Sequence, residues 1–494
     1  MKRGLFIVIL IFANFLAQAQ SGYQIKGMIK GVADTTCMLA YYFGDKQYAK
    51  DTAEVDANGS FVFQGSEALK GGIYMIVFPE GKYVDIIVSE QRFSFTTDIA
   101  NLVASMNFKN SKENEVFYGY MQGLSSMQEK SIAYQSKIEA ATSDSEKEKL
   151  QQEFRILGKE VAMYQDNFIQ KNTDAFFSKV LLANKEIEVP ESPILPNGIV
   201  DSTFQFRFYK NHFLDYLDFS DERLLRTPVF HPKINTFLEN LTVKHPDSII
   251  ISCDYLVKKS RVNKEVFKYV VSYLTSTYES SKVMGLEKVF VHMVDKYYKT
   301  GEATWVDETN MFKIIDRAET IAPLLIGEVS PNLHLRDTLE KVRVLHQLNS
   351  DFTLVVFYDP DCGHCKTEMT SIKEKYDQWL KDGIDVDVFA VCVELEKKEW
   401  LSFIKKYDTG EFINVGEFRT IIDGEYKREN DPYVTPFPYI KQLYDINGTP
   451  KVYVLDKDKK ILVNAIKGSI GVDQIDELIR RESTKNDKAR IKRL

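Results

Sequence analysis

Leu354-Val355-Val356-Phe357-Tyr358-Asp359-Pro360-Asp361-Cys362-Gly363-His364-Cys365 is the stretch that decides how this sequence folds. The apolar run from Phe352 to Tyr358 has the length of a buried strand, Asp359-Pro360-Asp361 interrupts it, and a helix is predicted from Cys362 to Leu380. A strand that ends in a loop and delivers two cysteines to the first turn of a helix makes a reactive thiolate. Cys362 stands at the helix N-terminus, where unsatisfied N–H groups and the helix dipole favour negative charge and lower a thiol pKa. Cys365, one turn on, lies on the same face and can close a disulfide. His364 can hold positive charge beside the thiolate and stabilise the reduced form, and Gly363 leaves the approach open. Cys-x-x-Cys is also half of a zinc site. The chain has no second such pair, and His364 cannot easily join both sulfurs on one ion, so neither a metal nor any cofactor beyond the cysteine pair is expected.

The surrounding third of the chain alternates in type. Strands are predicted at Val342 to Leu345, Phe352 to Tyr358 and Val386 to Val393, with helices from Cys362 to Leu380 and around Trp400 to Lys406. The strands Lys451 to Leu455 and Ile461 to Val463 follow, linked by Asp456-Lys457-Asp458-Lys459, and a helix from Asp473 to Arg481 closes the region. Strands alternating with helices, then a hairpin and a last helix, are the α/β order of thioredoxin.

On the stretch quoted above and on Gly448-Thr449-Pro450-Lys451-Val452-Tyr453-Val454-Leu455-Asp456, residues from about Ile326 to Glu482 resemble the envelope thioredoxins of the TlpA/ResA type. The resemblance implies a thioredoxin-like fold and dithiol-disulfide exchange with client proteins, supported by an unidentified membrane or envelope electron donor or acceptor. It implies that Pro450 follows a cis bond and packs beside the cysteine pair, and that the backbone of Thr449 pairs with the client polypeptide. Glu368 matches an acidic residue that such proteins keep as proton acceptor for the buried thiol; a solvent-facing helix glutamate is the other reading. There are departures from the family pattern. Asp361 replaces the tryptophan common before the first cysteine, Thr370 replaces a proline five residues after the second, and Val356 stands where thioredoxin has a buried acid. The stretch from Glu396 to Tyr444 is longer than a minimal thioredoxin needs, which suits a flap or client-contacting surface.

Ahead of this region the period changes twice. From Tyr23 to about Asp98 short strands are predicted, with Tyr23, Ile25, Gly27 and Ile29 alternating with polar neighbours and Asn58-Gly59 as a hairpin turn, which gives an all-β, sandwich-like module over 21–110. From 111 to 325 the chain reads as helical. Leu150, Phe154, Leu157, Val161, Tyr164 and Phe168 recur at helical steps, and Ser143 with Glu146 forms a capping-box pattern, so two long antiparallel helices are expected. A Pro-rich joint, Pro190 to Pro196, precedes further helices at Phe208 to Leu217, Pro232 to Leu241, Lys264 to Tyr278 and Leu286 to Tyr298. These two regions resemble the β-module and helical region of unknown function found ahead of such thioredoxins, on Ser111-Lys112-Glu113-Asn114 and Asp218-Phe219-Ser220-Asp221-Glu222-Arg223-Leu224-Leu225. The thioredoxin-like region then covers 326–484, and 485–494 forms a basic tail.

With 494 residues, 44% of them hydrophobic and 27% charged, the composition is that of globular protein in several domains. A net charge of −7 argues against nucleic acid as a partner, and the basic run Lys488 to Arg493 reads as a solvated tail. Lys2 and Arg3, the apolar run Leu5 to Leu16 and Ala17-Gln18-Ala19 form a secretory signal peptide over 1–20, which places the chain in the periplasm or cell envelope. An uncleaved anchor is the alternative. Five cysteines are too few and too scattered for a disulfide framework; Cys37, Cys253 and Cys392 sit in apolar runs and read as buried structural thiols.

Two other functions compete with exchange. Peroxide reduction needs a Thr or Ser three residues before a lone peroxidatic cysteine, whereas Asp359 stands there and Cys365 is a ready partner. Alternatively, the first 325 residues are a binding or assembly module and the redox domain is an accessory; loss or retention of phenotype in Cys362→Ser separates these. The signal segment gives a direct expectation: intact-mass analysis of envelope protein should show a mature chain beginning near Gln20 or Ser21, and a mass that still includes Met1 would refute cleavage.

Overall fold

The computed structural model describes residues 22–393, 397–416, 420–422, 425–427, 435, 437–464 and 471–491, so the expected signal segment lies outside the described residues. The chain forms two compact units, one of residues up to 243 together with 255–269, the other of 244–254 together with 270–494.

The first unit begins with eight strands, β1 (Tyr23–Lys30), β2 (Thr35–Phe43), β3 (Lys46–Val55), β4 (Ser60–Gly65), β5 (Gly72–Val77), β6 (Tyr83–Val88), β7 (Arg92–Asp98) and β8 (Asn107–Lys109). They build two four-stranded sheets in the orders β4-β1-β7-β8 and β3-β2-β5-β6. Along β1 the expected alternation holds, with Tyr23, Ile25, Gly27 and Ile29 buried and Lys26, Met28 and Lys30 exposed. Gly27 has no side chain because the Phe61 ring lies over it, 2.1 Å from where a Cβ would stand. Phe61 also touches Phe63 and Phe95 of its own sheet and Phe78, the residue that follows β5 of the other. One expectation fails here. Asn58-Gly59 does form a tight turn, with Gly59 at φ +82° and Asp56 Oδ1 accepting from the N–H groups of Asn58 and Ser60 at 2.8 and 2.9 Å. It does not join a hairpin: β3 pairs with β2 and β4 with β1, so the turn carries the chain from one sheet to the other. Turn chemistry is local and does not specify which strand becomes the partner.

Helices α1 (Lys112–Ala140) and α2 (Asp144–Lys171) pack antiparallel, Tyr120 on Tyr164 and Tyr134 on Phe154. Ser143 caps α2 by accepting from the Glu146 N–H at 3.3 Å. The Ser111–Asn114 motif has a structural use. Strand β6 is the edge of its sheet, and the Asn114 amide replaces the missing strand there: the Ile87 N–H donates to Asn114 Oδ1 at 2.8 Å, and Asn114 Nδ2 donates to the Ile87 carbonyl at 2.7 Å. Helices α3 (Phe176–Ala183), α4 (Phe204–His212) and α5 (Phe230–Glu239) follow. The Asp218–Leu225 motif is structural too. Lys179 lies between Asp218 and Asp221 at 2.8 and 2.9 Å, Asp221 also holds the Arg223 side chain, and Phe219, Leu224 and Leu225 are buried. Helices α6 (Pro246–Ser260) and α7 (Lys264–Ser280) contribute residues to both units.

The second unit contains α8 (Glu287–Met293), which runs on as a π-helical turn Val294–Tyr298, and α9 (Glu308–Ile321). A mixed α/β domain of the thioredoxin-like kind follows. Its strands are β9 (His334–Asp337), β10 (Val342–Val344), β11 (Phe352–Tyr358), β12 (Val386–Cys392), β13 (Ile413–Gly416), a separate pair β14 (Thr420–Ile422) and β15 (Glu425–Lys427), β16 (Lys451–Asp456) and β17 (Ile461–Val463). The seven-stranded sheet has the order β10-β9-β13-β12-β11-β16-β17. Its helices are α10 (Gly363–Lys381), α11 (Lys397–Lys406), α12 (Phe437–Leu443) and α13 (Val472–Ile491). Helix α13 continues to Ile491, through most of the expected basic tail. Of the long stretch from 396 to 444, residues 396, 417–419, 423–424, 428–434 and 436 lie outside the described residues.

Strand β11 is paired on both sides, parallel to β12 and antiparallel to β16, and all seven of its residues are buried. Leu354, Val356 and Tyr358 face Met369, Ile372 and Trp379 of α10, Trp400 of α11 and Ile475 of α13. Phe357, on the other face, packs on Tyr444 and Tyr453. Asp476 ties α13 to α10 by accepting from Trp379 Nε1 at 2.8 Å. The end of β11 is thereby fixed from both faces and both edges.

Asn114→Ala would leave the Ile87 N–H and C=O buried without partners, and at about 1–3 kcal/mol per group it should destabilise β6 by about 2–6 kcal/mol. Amide exchange at Ile87 should accelerate accordingly, and unchanged protection there would show that water replaces the side chain.

Candidate active site

Asp359-Pro360-Asp361 turns the chain from β11 into α10. The Asp359 carbonyl accepts from the Cys362 N–H at 3.2 Å, and Asp359 Oδ1 accepts from the Asp361 N–H at 2.8 Å, which locks the turn. Cys362 is the N-cap of α10, with extended backbone angles. Its sulfur makes no capping hydrogen bond of regular geometry, yet the main-chain N–H of Cys365 lies close enough to pull the thiol below its ordinary value. Burial works against this shift, while the Cys365 thiol, the His364 main-chain N–H and the Thr449 side chain add to it. The partly exposed Cys362 is therefore the better thiolate.

Cys365 is shifted the other way. It is fully buried, and burial pushes its thiol up to about 11 although the Asp359 N–H donates to its sulfur at 3.4 Å. Both cysteines are free thiols. Glu368, three residues on along the same helix, does not stand free in solvent: its Oε1 is buried with no hydrogen-bond partner, and burial raises its carboxyl. The imidazole of His364 is exposed and makes no hydrogen bond or ion pair among the described residues, so His364 meets the sulfur through its backbone. Gly363 is exposed, with open space where a Cβ would stand.

The opposite wall is the loop before β16. The Thr449–Pro450 bond is cis, and Cys362 Sγ donates to the Thr449 carbonyl at 3.6 Å. This loop is anchored by residues that spacing alone did not single out. Asp445 is buried and holds Arg317 of α9 through two bonds of 2.6 and 3.1 Å, and it accepts from Asn447 Nδ2 at 2.9 Å. Lys451, directly after Pro450, donates to the Asp445 carbonyl and is also buried. Arg317 and Asp445 are 128 residues apart in sequence, a separation at which no local pattern connects them. Behind the pair, Trp400 Nε1 donates to the Tyr358 hydroxyl at 2.9 Å. The remaining cysteines are buried: Cys37 in β2, Cys253 in α6 and Cys392 in β12; burial pushes Cys37 up to about 12 and raises Cys253 further.

Residues 340–482 match the thioredoxin-like domain family, residues 23–117 a domain of unknown function (DUF4369) and residues 126–322 a domain of unknown function (DUF5106). Among solved structures, a thioredoxin-like protein from Bacteroides caccae is 19% identical over 60% of this chain and 99% of its own, with a TM-score of 0.41. A domain of a possible thiol-disulfide isomerase from Cytophaga hutchinsonii is 32% identical over 34% of this chain and 99% of its own, with a TM-score of 0.26. A thiol:disulfide interchange protein from a Bacteroides species is 16% identical over 32% and 88% of the two chains, with a TM-score of 0.24. No curated protein matches the chain.

Because the two thiols are shifted in opposite directions, iodoacetamide at neutral pH should label Cys362 well before Cys365, Cys37 or Cys253, with a pH midpoint below that of an ordinary cysteine. Two variants separate backbone from imidazole. His364→Pro removes the N–H that faces the sulfur and should raise the midpoint, whereas His364→Ala keeps it and should change little. Equal shifts in both variants would assign the effect to the imidazole instead.

Proposed function

We propose that this chain, whose residues 340–482 form a thioredoxin-like domain behind DUF4369 and DUF5106 domains, is an exported thiol-disulfide oxidoreductase that exchanges its Cys362–Cys365 dithiol with client proteins of the cell envelope. The observation that carries this reading is the asymmetry of the pair: one partly exposed thiol lowered at a helix start, and one buried thiol raised to about 11 a single turn away.

In the reducing direction the Cys362 thiolate attacks a client disulfide. A mixed disulfide forms between Cys362 and one client sulfur, and the other client sulfur leaves as a thiolate and takes up a proton. Cys365 then loses its proton, for which the unpartnered Glu368 carboxylate is the nearest acceptor along the helix, and attacks the Cys362 sulfur. The Cys362–Cys365 disulfide closes as the Cys362–client bond breaks, the released client thiolate takes up the proton held by Glu368, and the client departs as a dithiol, two electrons richer. A dithiol donor of the envelope restores the pair, and in the oxidising direction the same steps run in reverse. The Thr449 carbonyl, already 3.6 Å from the Cys362 sulfur, lies where an extended client backbone can donate to it while its sulfur meets Cys362. Export rests on the N-terminal segment, read from sequence alone.

Cys365→Ala should stall the reaction at the mixed disulfide, so envelope proteins should be recovered covalently bound to Cys362 and released by dithiothreitol. The double variant with Cys362→Ser should recover none, and Cys362→Ser alone should lower reduction of a protein disulfide by orders of magnitude. Undiminished reduction by Cys362→Ser would refute the assignment.

A further inference from the structure

Arg226 lies in the first unit, directly after the Asp218–Leu225 motif, and is 4% exposed. Its guanidinium makes no ion pair or hydrogen bond among the described residues, and Nη1 is buried without a partner. Of the acids nearby in sequence, Asp218 holds Lys179, Asp221 holds Lys179 and Arg223, and Glu222 forms no ion pair with Arg226. The Phe43 ring lies 5.5 Å from the guanidinium carbon, which satisfies the face of the cation but not its N–H edge. Arginine does not shed its charge, and an unpaired buried charge is strongly destabilising, so this cation lacks an anion among the described residues.

Arg226 also lines a cavity of about 380 Å³ whose walls include the rings of Tyr41, Phe43 and Tyr74 and whose rim carries Lys50 and Lys70. Tyr41 and Tyr74 pack together at 5.5 Å with their planes tilted by 35°, which gives the wall an aromatic surface. Lys70 already pairs with Glu265 at 3.3 Å, and the rim carboxylate of Glu67 is exposed and does not reach Arg226. We propose that this cavity binds a small organic oxyanion, a carboxylate or phosphate on an aromatic or aliphatic body, with the anion against Arg226 and the body against the tyrosine and phenylalanine rings. The planar fork of Arg226 suits two oxygens of such a group, Lys50 adds long-range attraction, and the rings take the apolar part. The site is separate from the thiol chemistry and stands or falls independently of it.

The test is titration of the mature full-length protein with benzoate, phenyl phosphate and the uncharged isostere benzamide, followed by calorimetry and thermal unfolding. Benzoate or phenyl phosphate should bind at least about tenfold more tightly than benzamide, the size of one charge-assisted hydrogen bond; whichever binds better assigns carboxylate or phosphate as the preferred group. Arg226→Met should lose that preference and, without anion, unfold no earlier than the native protein, because it removes an uncompensated charge. Arg226→Lys keeps the charge without the fork and should weaken binding, which preserves the test where the methionine variant does not fold. Equal affinity for benzoate and benzamide, or undiminished benzoate affinity in the folded Arg226 variants, would overturn the proposal.

Discussion

The unpaired N–H groups in the first turn of α10 attract the sulfur of Cys362, and much of the second unit serves to hold the two in register. Such an effect fades within one helical turn, so a displacement of a single residue along the helix would abolish it. Strand β11 prevents that displacement. Its seven buried residues are gripped by strands on both edges and by side chains on both faces, and the Asp359 turn fixes the step from its last residue to the helix cap. At the far end of α10, Trp379 donates to Asp476 and Arg480 to the C-cap Asp382, which pins the helix to α13. Cys365 lies within the same first turn but is fully buried, and there desolvation outweighs the Asp359 N–H that donates to its sulfur. One backbone thus produces two thiols with opposite tendencies.

The second wall of the site does not belong to the thioredoxin-like residues alone. The Thr449 carbonyl meets the Cys362 sulfur because the loop from Asp445 to Pro450 is tied at its base, and one of those ties is Arg317, which precedes the residues that match the thioredoxin-like family. A bidentate bond to a carboxylate that is 6% exposed is a stronger constraint than a surface ion pair, since its partner would otherwise be an uncompensated buried charge. Helix α9 is therefore part of the machinery that sets the geometry at Cys362, though it carries no reactive group.

How much of this was legible in the sequence depends on the range of the interaction that decides each feature. The strand, the turn and the cysteine pair are written within twelve consecutive residues and follow from short-range rules. The two long helices follow from a seam of Phe154, Leu157 and Tyr164 at helical steps, and the α2 cap from Ser143 and Glu146. Where the deciding partner is distant, local signals failed or stayed silent. Asn58-Gly59 forms its turn, but the sheet that receives β4 is chosen by the packing of Phe61 over Gly27. Helix α9 falls within the region read as helical without its bounds being singled out, and the pairing of Arg317 with Asp445 left no local signal at all. His364 shows a subtler limit: residue type suggested an imidazole effect, whereas the geometry brings its amide to the sulfur, and sequence does not distinguish a side chain's influence from that of its own peptide group.

The polar residues ahead of the redox region sort by the same criterion of partnership. Asn114 closes a sheet edge, Asp221 caps a turn and binds two cations, and Glu90 accepts from Ser111 at the start of α1; each has its partners within the first unit, and together they account for the motifs that stand out there. Every one of these groups is satisfied by a fold that must bury many strand edges and helix ends with few spare donors. Arg226 breaks that pattern. It is 4% exposed, it sits one residue beyond a motif rich in carboxylates, and none of those carboxylates forms an ion pair with it. The charged groups around it are paired within the fold, Lys179 and Arg223 with Asp221 and Lys70 with Glu265, and the ring-walled cavity beside the guanidinium is where an external anion fits the same logic of pairing.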